Sequence, residues 1–450
     1  MSTVADEYRG SALLTDLYQL TMLEAYLNRG MTEEATFEFF VRRLPEQRNF
    51  LLAAGLEQVL SYVSGLRFSD QEIESLRRME LFTEPLLQYL SDFKFSGDIH
   101  AMREGTVFFA NEPILRVTAP LPEAQLVESR LINILHFQTL IATKAARCVL
   151  AAPGKQLVDF GMRRAHGSEA AIFAARASYL AGFSGTATVI AKPMFAIPIF
   201  GTMAHSFIQA HDSEIEAFEH FARSHRGAVI LLIDTYDTEE GARRVVEVAD
   251  RLSLEGKRIH AVRLDSGDLS TLSFRVREIL DEGGHPDIRI FASSGIDEYA
   301  LEALLAENAP IDGYGIGTKL DVSADAPALD CAYKIQEYAG RPRRKRSTGK
   351  LTLPGRKQVF RRLDPGGRLH EDILTVWEDE HPGRPLLEPV MLNGSHCTQI
   401  PDLESARRYA REELDRLTPE LRALTKHARY PVRVAPTLEA LAREVDEAFR

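Results

Sequence analysis

A chain of 450 residues with 45% hydrophobic and 26% charged content holds enough apolar material for large cores and more than one domain. Lys and Arg number 54 against 65 Asp and Glu, a formal charge of -11 that excludes general attraction to nucleic acid or anionic membranes. No apolar run approaches the roughly 18 residues of a membrane span, so an anionic substrate has to be met by local basic groups or helix ends of a soluble protein. Met1 to Arg9 lacks the apolar core of a secretory signal, and Cys148, Cys331 and Cys397 are few and widely spaced, as suits free thiols. The expectation is a cytoplasmic protein.

In chain order, residues 13–26 carry apolar side chains at helical spacing, with Thr15 or Asp16 placed to cap a helix that has Asp16 and Tyr18 at its start. Residues 36–44 alternate as a strand, 50–66 and 69–90 return to helical periodicity, and 97–121 read as short strands punctuated by Gly105, Asn111 and Pro113. Residues 1–122 therefore read as an α+β module. Pro122 opens a long apolar helix that Pro153 and Gly154 stop.

The texture then changes. Short apolar strands at 157–160, 188–191, 197–200, 228–234, 259–265, 288–292 and 313–317, most followed by helical periodicity, spell repeated βα units. The expected class is α/β, with a parallel sheet closed as an irregular TIM-like barrel over residues 123–330. Beyond Leu320 the alternation fades. Residues 331–363 read as a hairpin with a basic turn at 341–350, solvated in preference to binding polyphosphate, and 404–417 as a helix ended by Pro419. Residues 331–450 are expected to return to the first module.

In such a barrel the residues that follow each strand meet on one face, where chemistry is displayed. Here the strand ends carry Asp159-Phe160-Gly-Met-Arg163-Arg164, Gly201-Thr202 through His205, Asp234-Thr-Tyr-Asp237, Arg263-Leu-Asp265-Ser-Gly-Asp268, Ser293-Ser294-Gly295 and Gly315-Ile-Gly317-Thr318. Each fragment alone fits a cap, an ion pair or a tight turn; six in succession point to one site. His205, three residues beyond Thr202 and just past an apolar run, is the first catalytic candidate. Ser294 and Gly295 precede a helix that begins near Asp297, where free backbone N–H groups and a positive helix end favour phosphate. Gly315, Gly317 and Thr318 add backbone that an anion can approach closely. The glycine spacing is not that of a dinucleotide fingerprint, so a phosphorylated small molecule is expected. Arg263 offers a planar fork for a carboxylate and Asp265 suits ribose hydroxyls or magnesium waters, an Arg–Asp tie between strands being the alternative.

Thr15-Asp-Leu-Tyr-Gln-Leu-Thr-Met22, Phe160-Gly-Met-Arg-Arg-Ala-His-Gly167, Gly201-Thr-Met-Ala-His-Ser206, Asp234-Thr-Tyr, Arg263-Leu-Asp-Ser-Gly-Asp268 and Gly315-Ile-Gly-Thr318 together resemble the nicotinate phosphoribosyltransferase family, in order from about Leu13 to Phe360. The resemblance implies an α+β module built from both chain ends, an irregular α/β barrel, and a homodimer whose sites lie at the subunit interface. It implies ATP-assisted condensation of nicotinate with phosphoribosyl pyrophosphate to nicotinate mononucleotide, pyrophosphate, ADP and phosphate, with magnesium on the pyrophosphate, in NAD biosynthesis. By motif it implies that His205 is the phosphorylated residue and that Asp234 orients its imidazole. Phe160 and Tyr18 would sandwich the pyridine ring, with Tyr18 supplied by the partner subunit and Asp16 beside it. Arg263, with Thr202 nearby, would bind the carboxylate, and Arg163 and Asp265 the phosphoribosyl part. A nicotinamide phosphoribosyltransferase is the alternative within this architecture; a phosphometabolite-binding barrel without catalysis is the alternative outside it.

Overall fold

Residues 10–347, 349–397, 399–425 and 429–448 are described by a computed structural model. Helix α1 (Leu17–Asn28) begins where the periodicity places it, but Asp16 at its N-cap makes no side-chain cap bond; its carboxylate accepts the Ser129 hydroxyl at 2.6 Å instead. Strand β1 (Glu34–Val41) is followed by β2 (Leu51–Leu52), α2 (Leu56–Gly65), α3 (Asp70–Arg78) and α4 (Glu84–Ser91). The segment read as helix from residue 50 thus starts as a strand. Gly55, at φ 101°, makes the turn between the two, a conformation that glycine adopts without steric cost. Strands β3 (Asp98–Ala101), β4 (Val107–Phe108) and β5 (Pro113–Pro120) come next, then α5 (Leu121–Leu126) and the long α6 (Glu128–Ala151).

The middle of the chain alternates. It runs β6 (Gln156–Asp159), a single 3-10 turn (Met162–Arg164), α7 (Ser168–Ala181), β7 (Gly185–Thr186), α8 (Ala191–Phe195), α9 (His205–Gln209), α10 (Glu214–Ser224) and β8 (Val229–Leu232). Then come α11 (Thr238–Leu254), β9 (Ile259–Leu264), α12 (Leu269–Glu282), β10 (Arg289–Ser293), α13 (Glu298–Ala306), β11 (Gly313–Ile316) and α14 (Thr318–Asp321). The six strands form one parallel sheet in the order β7-β6-β11-β10-β9-β8, so all their carboxyl ends share an edge. Among the described residues no ladder joins β7 to β8.

Two expected strands are absent. Residues 188–191 turn into α8, and 197–200 contribute a single bridge, Ile199 to Thr186. Val189 and Ile190 are 68% and 45% exposed, so their apolar character buries nothing, and Pro198 has no N–H to give a ladder. Gly185 lets this segment close in, since a Cβ there would lie 2.2 Å from the Pro198 carbonyl oxygen.

The remainder comprises β12 (Cys331–Tyr338), β13 (Arg341–Pro342), β14 (Lys357–Leu363), β15 (Leu369–Val376), β16 (Arg384–Pro385), β17 (Glu388–Leu392) and β18 (Ser395–His396). It ends with α15 (Leu403–Asp415), α16 (Pro419–Arg422), β19 (Val432–Val434) and α17 (Pro436–Ala448). Residues 331–363 are not a hairpin. β12 pairs antiparallel with β1 inside the seven-stranded sheet β13-β12-β1-β5-β3-β17-β18, whereas β14 belongs to the sheet β16-β14-β15-β19. The stacking of Tyr333 on Phe37, with ring centroids 5.0 Å apart, accompanies the first pairing. The basic turn is partly tied down: Arg344 bonds Asp446 and the Ala442 carbonyl of α17.

The chain packs as two units, one from both ends (Met1–Thr143 and Ala328–Arg450) and one from the middle (Lys144–Pro327). The first boundary falls inside α6 and not at residue 122, because the first two thirds of that helix are bonded into the terminal unit. The Leu140 carbonyl accepts from Arg48, and the Thr143 hydroxyl accepts from the Leu52 N–H.

Within the terminal unit, Arg361 is fully buried. It forks onto Asp372 at 2.5 and 3.0 Å, reaches Glu413 at 2.9 Å and donates to the Val107 carbonyl at 2.7 Å. Burial, then the Asp372 charge, pushes Glu112, beside the pair, well above the usual carboxylate range. Removing one member of such a network leaves uncompensated buried charge. Arg361→Met, which keeps the stem and deletes the fork, is expected to lower unfolding free energy by roughly 3–5 kcal/mol, read by urea denaturation; an unchanged midpoint would show the network to be dispensable.

Candidate active site

The site is assembled where the six parallel strands end. β6 delivers Phe160, whose N–H donates to the Ile316 carbonyl at 2.8 Å and so ties the ends of β6 and β11. A Cβ on Gly315 would lie 2.3 Å from the Phe160 ring, and one on Gly317 would lie 3.0 Å from its carbonyl oxygen. These glycines therefore make room for Phe160; the part expected of Gly315, approach to an anion, is taken by an aromatic ring. Gly317 and Thr318 stay accessible at the lip, while Gly315 is buried.

β9 delivers Arg263 and, one residue past its end, Asp265. The Arg263 side chain is 13% exposed. Its guanidinium donates to the Thr202 hydroxyl and to the Met203 carbonyl, faces Asp265 at 3.5 Å, and lies 6.0 Å from the centre of the Phe160 ring. Its Nε is buried with no acceptor among the described residues. Burial pulls the Arg263 pKa down, Asp265 and Asp234 push it back up, and the nearby Arg163 pulls it down again. That last cause places a second cation in the same mouth. Arg163 is exposed on the 3-10 turn.

His205 opens α9 with its ring 40% exposed. Its Nδ1 is 3.1 Å from the Thr235 hydroxyl and its Nε2 is 3.6 Å from Asp265 Oδ2. Asp234 is not the imidazole's partner in this structure. Its Oδ2 accepts the Asp265 N–H at 2.9 Å and the Ser266 hydroxyl at 2.5 Å, while Oδ1 is buried without a donor among the described residues. Asp234 is just past the end of β8, beside β9, and so holds the start of the loop that follows β9. The next residue, Thr235, is the one that reaches His205. Asp265 is itself fixed by the Ser293 hydroxyl at 2.5 Å.

Ser294 and Gly295 are exposed at the end of β10, with φ of 90° and 62°. A serine at such a φ is strained backbone, of the kind that concentrates at functional sites. The helix end beyond them is already capped: Asp297 accepts the Ala300 N–H at 3.0 Å and pairs with Lys319 at 2.7 Å. Asp268 likewise caps α12 through Ser270 and Thr271. Asp16 and Tyr18 belong to the terminal unit, where Tyr18 is 45% exposed. Residue patterns missed Thr235 and Ser266 and gave Ser293 no role of its own, although each adjoins a residue or motif singled out; a hydroxyl next to a candidate acid or histidine is the signal that could have found them.

Residues 13–136 match the nicotinate phosphoribosyltransferase (NAPRTase) N-terminal domain, 155–340 the NAPRTase family, and 379–442 its C-terminal domain. The chain belongs to the nicotinate phosphoribosyltransferase family. It is 50% identical over 428 residues to nicotinate phosphoribosyltransferase pncB2 of Mycobacterium tuberculosis, covering 94% of this chain and 91% of that protein. Over 457 residues it is 38% identical to the nicotinate phosphoribosyltransferase of Bacillus subtilis, with 94% and 92% covered. Human nicotinic acid phosphoribosyltransferase superposes with a TM-score of 0.87 at 29% identity, over 96% of this chain and 100% of that one. The α/β class expected from the strand pattern is thus the family's own. Among the described residues no helix is long and apolar enough to cross a membrane, and Cys148, Cys331 and Cys397 form no disulfide.

The Thr235 hydroxyl fixes which imidazole nitrogen faces the mouth. A hydrogen bond of this kind contributes about 1 kcal/mol, so Thr235→Val is expected to lower kcat roughly fivefold and Thr235→Ser to restore it. Equal loss in both variants, in a product-formation assay, would show that the hydroxyl has no such part.

Proposed function

We propose that the strand-end mouth of the middle unit condenses nicotinate with phosphoribosyl pyrophosphate, assisted by ATP through a phosphorylated His205, to give nicotinate mononucleotide, pyrophosphate, ADP and phosphate. The observation that carries the reading is Arg263, a largely buried guanidinium seated on the Thr202 hydroxyl and set over the Phe160 ring, with an unbonded Nε–H. A flat aromatic carboxylate fits this setting: its ring stacks on Phe160 and its negative charge meets the guanidinium. A neutral carboxamide offers the guanidinium one carbonyl acceptor and no charge, which favours nicotinate over nicotinamide.

Arg163 and Asp265 then face the phosphoribosyl part, with Ser294, Gly295, Gly317 and Thr318 at the lip for its phosphate oxygens. Attack of the ring nitrogen on the anomeric carbon, with departure of pyrophosphate, proceeds through an oxocarbenium-like state, so positioning and charge outweigh any strong base. Magnesium brought in with the pyrophosphate would stabilise the leaving charge. Among the described residues no three His, Cys, Asp or Glu side chains cluster as a metal site, and with Asp268 occupied in capping, Asp265 is the acid that metal-bound water would meet.

His205 Nδ1 is engaged by Thr235, so Nε2 is the nitrogen that takes the γ-phosphoryl group. The N–P bond forms as the bond to ADP breaks, Asp265 faces the resulting positive imidazolium, and later attack by water releases phosphate. We read the middle unit as an irregular TIM-like barrel that forms the catalytic domain, and the terminal unit as its α+β companion. In a homodimer the exposed Tyr18, with Asp16 beside it, would complete the partner's ring sandwich.

His205→Ala is expected to abolish uptake of label from the γ-phosphate of ATP and to remove the stimulation of turnover by ATP; persistence of either overturns the phosphohistidine. Arg263→Ala is expected to raise KM for nicotinate by roughly a hundredfold or more, as loss of a charged hydrogen-bonded contact implies, with KM for phosphoribosyl pyrophosphate changed far less. Equal losses would make Arg263 structural.

A further inference from the structure

Behind Phe160 lies an acidic pair that no step above uses. Asp159, the last residue of β6, and Asp321, the last of α14, are 0% and 1% exposed. Asp159 is fully engaged: Oδ1 accepts the Gly161 N–H and Oδ2 the Thr186 hydroxyl, each at 2.7 Å. The Thr186 oxygen in turn accepts the Thr188 N–H at 3.0 Å, and the Asp159 carbonyl accepts the Ala187 N–H at 2.8 Å. Asp321 has two buried carboxyl oxygens and no N–H or O–H from any other described residue, and its carboxyl packs against Gly161, whose own N–H is bonded to Asp159. It also fills the space over Gly161, where a Cβ would lie 2.1 Å from Asp321 Cγ.

Two carboxyl groups sealed together cannot both be ionised, and one shared proton turns their repulsion into a short O–H···O hydrogen bond. We propose that Asp159 and Asp321 are positioning residues, a proton-sharing acid pair that clamps the ends of β6 and β7 and the Gly161 turn to α14 and so sets where Phe160 and Arg163 stand in the mouth. The proton resides on Asp321, because both Asp159 oxygens already accept. Glycine at position 161 follows from the pair, which occupies the volume of a side chain there. The inference rests on the reading that Phe160 stacks the substrate ring.

The electrostatics agree with the geometry. Burial, then the Asp159 charge and hydrogen bond, pushes Asp321 well above the usual carboxylate range. Burial also raises Asp159, opposed by the bonds from Thr186, Gly161 and Asp321. Apart from each other, the two acids respond to burial and hydrogen bonds and, among the described residues, to no other charged side chain. A folded pKa above the unfolded value near 4 means that the pair favours folding below that value. The contribution is lost as pH rises through the folded pKa, when the shared proton leaves.

Asp321→Asn keeps a donor to Asp159 at every pH, whereas Asp321→Ala removes it. The Asn variant is expected to hold kcat/KM for nicotinate within about twofold of the parent at neutral pH and to lack the parent's decline on the alkaline side. The Ala variant is expected to lose tenfold or more in kcat/KM for nicotinate, with His205 still labelled by ATP. A readout independent of activity is amide hydrogen exchange of the peptide spanning residues 160–165, which Ala accelerates and Asn does not. An Asn variant as impaired as Ala, or an alkaline limb unchanged by Asn, overturns the shared proton; where the Ala variant does not fold, the Asn pH profile and exchange decide alone. Failure of the parent protein to convert nicotinate would sink the underlying reading instead, leaving the exchange result to stand or fall by itself.

Discussion

Everything in the mouth depends on how closely the ends of β6 and β11 approach at Phe160. Its backbone N–H is bonded to Ile316, and its ring and carbonyl occupy the space that side chains at 315 and 317 would fill. A parallel sheet brings strand ends to one edge but does not by itself fix side chains to the tolerance that catalysis needs. Here that tolerance comes from van der Waals contact with bare backbone, which cannot rotate away as a side chain can. The ring set in this way is the floor over which Arg263 is held, and its place is set by two missing Cβ atoms.

The second layer is a relay of neutral donors onto acids. Ser293 holds Asp265, Ser266 and the Asp265 N–H hold Asp234, and Thr186 with the Gly161 N–H holds Asp159. Hydrogen bonds from neutral groups orient a carboxylate without consuming a cation. His205 therefore meets Asp265 already oriented, and Asp234 serves the imidazole only through Asp265.

The sequence made the strand ends legible because each motif is local: a short apolar run, a break, then polar residues at fixed offsets. The unread parts are those set by pairing across the chain. That Asp234 reaches the Asp265 N–H follows from β8 lying beside β9 with Leu232 opposite Arg263, a register no single motif carries. The run at 197–200 looked like a strand because its apolar residues are continuous; Pro198 and an exposed Ile199 reduce it to one bridge. The supposed 331–363 hairpin failed for a related reason. β12 had a better partner in β1, about two thirds of the chain earlier, and periodicity is silent about partners. Tyr18 was legible as a residue but lies in the terminal unit, on a helix whose own spacing says nothing of a substrate.

A chain with a formal charge of -11 offers an anion no general attraction, so its cations count only where they are left free. The mouth does so by asymmetry. Asp265 is 3.5 Å from Arg263 but 2.5 Å from the Ser293 hydroxyl, and Asp234 faces backbone and serine instead of either arginine. The acids are near enough to keep Arg263 charged despite burial, yet their closest bonds go to neutral groups, so its fork is not closed by a bidentate carboxylate. Arg163 adds a second positive charge beside it, an arrangement that raises the energy of the empty site and falls when an anion enters. The terminal unit uses the opposite solution: Arg361 is bidentate to Asp372 and bonded to Glu413, a cation with nothing left to offer a ligand. The same residue type thus works as cement in one unit and keeps an open fork in the other, and the difference lies in whether the facing acids have closer donors of their own.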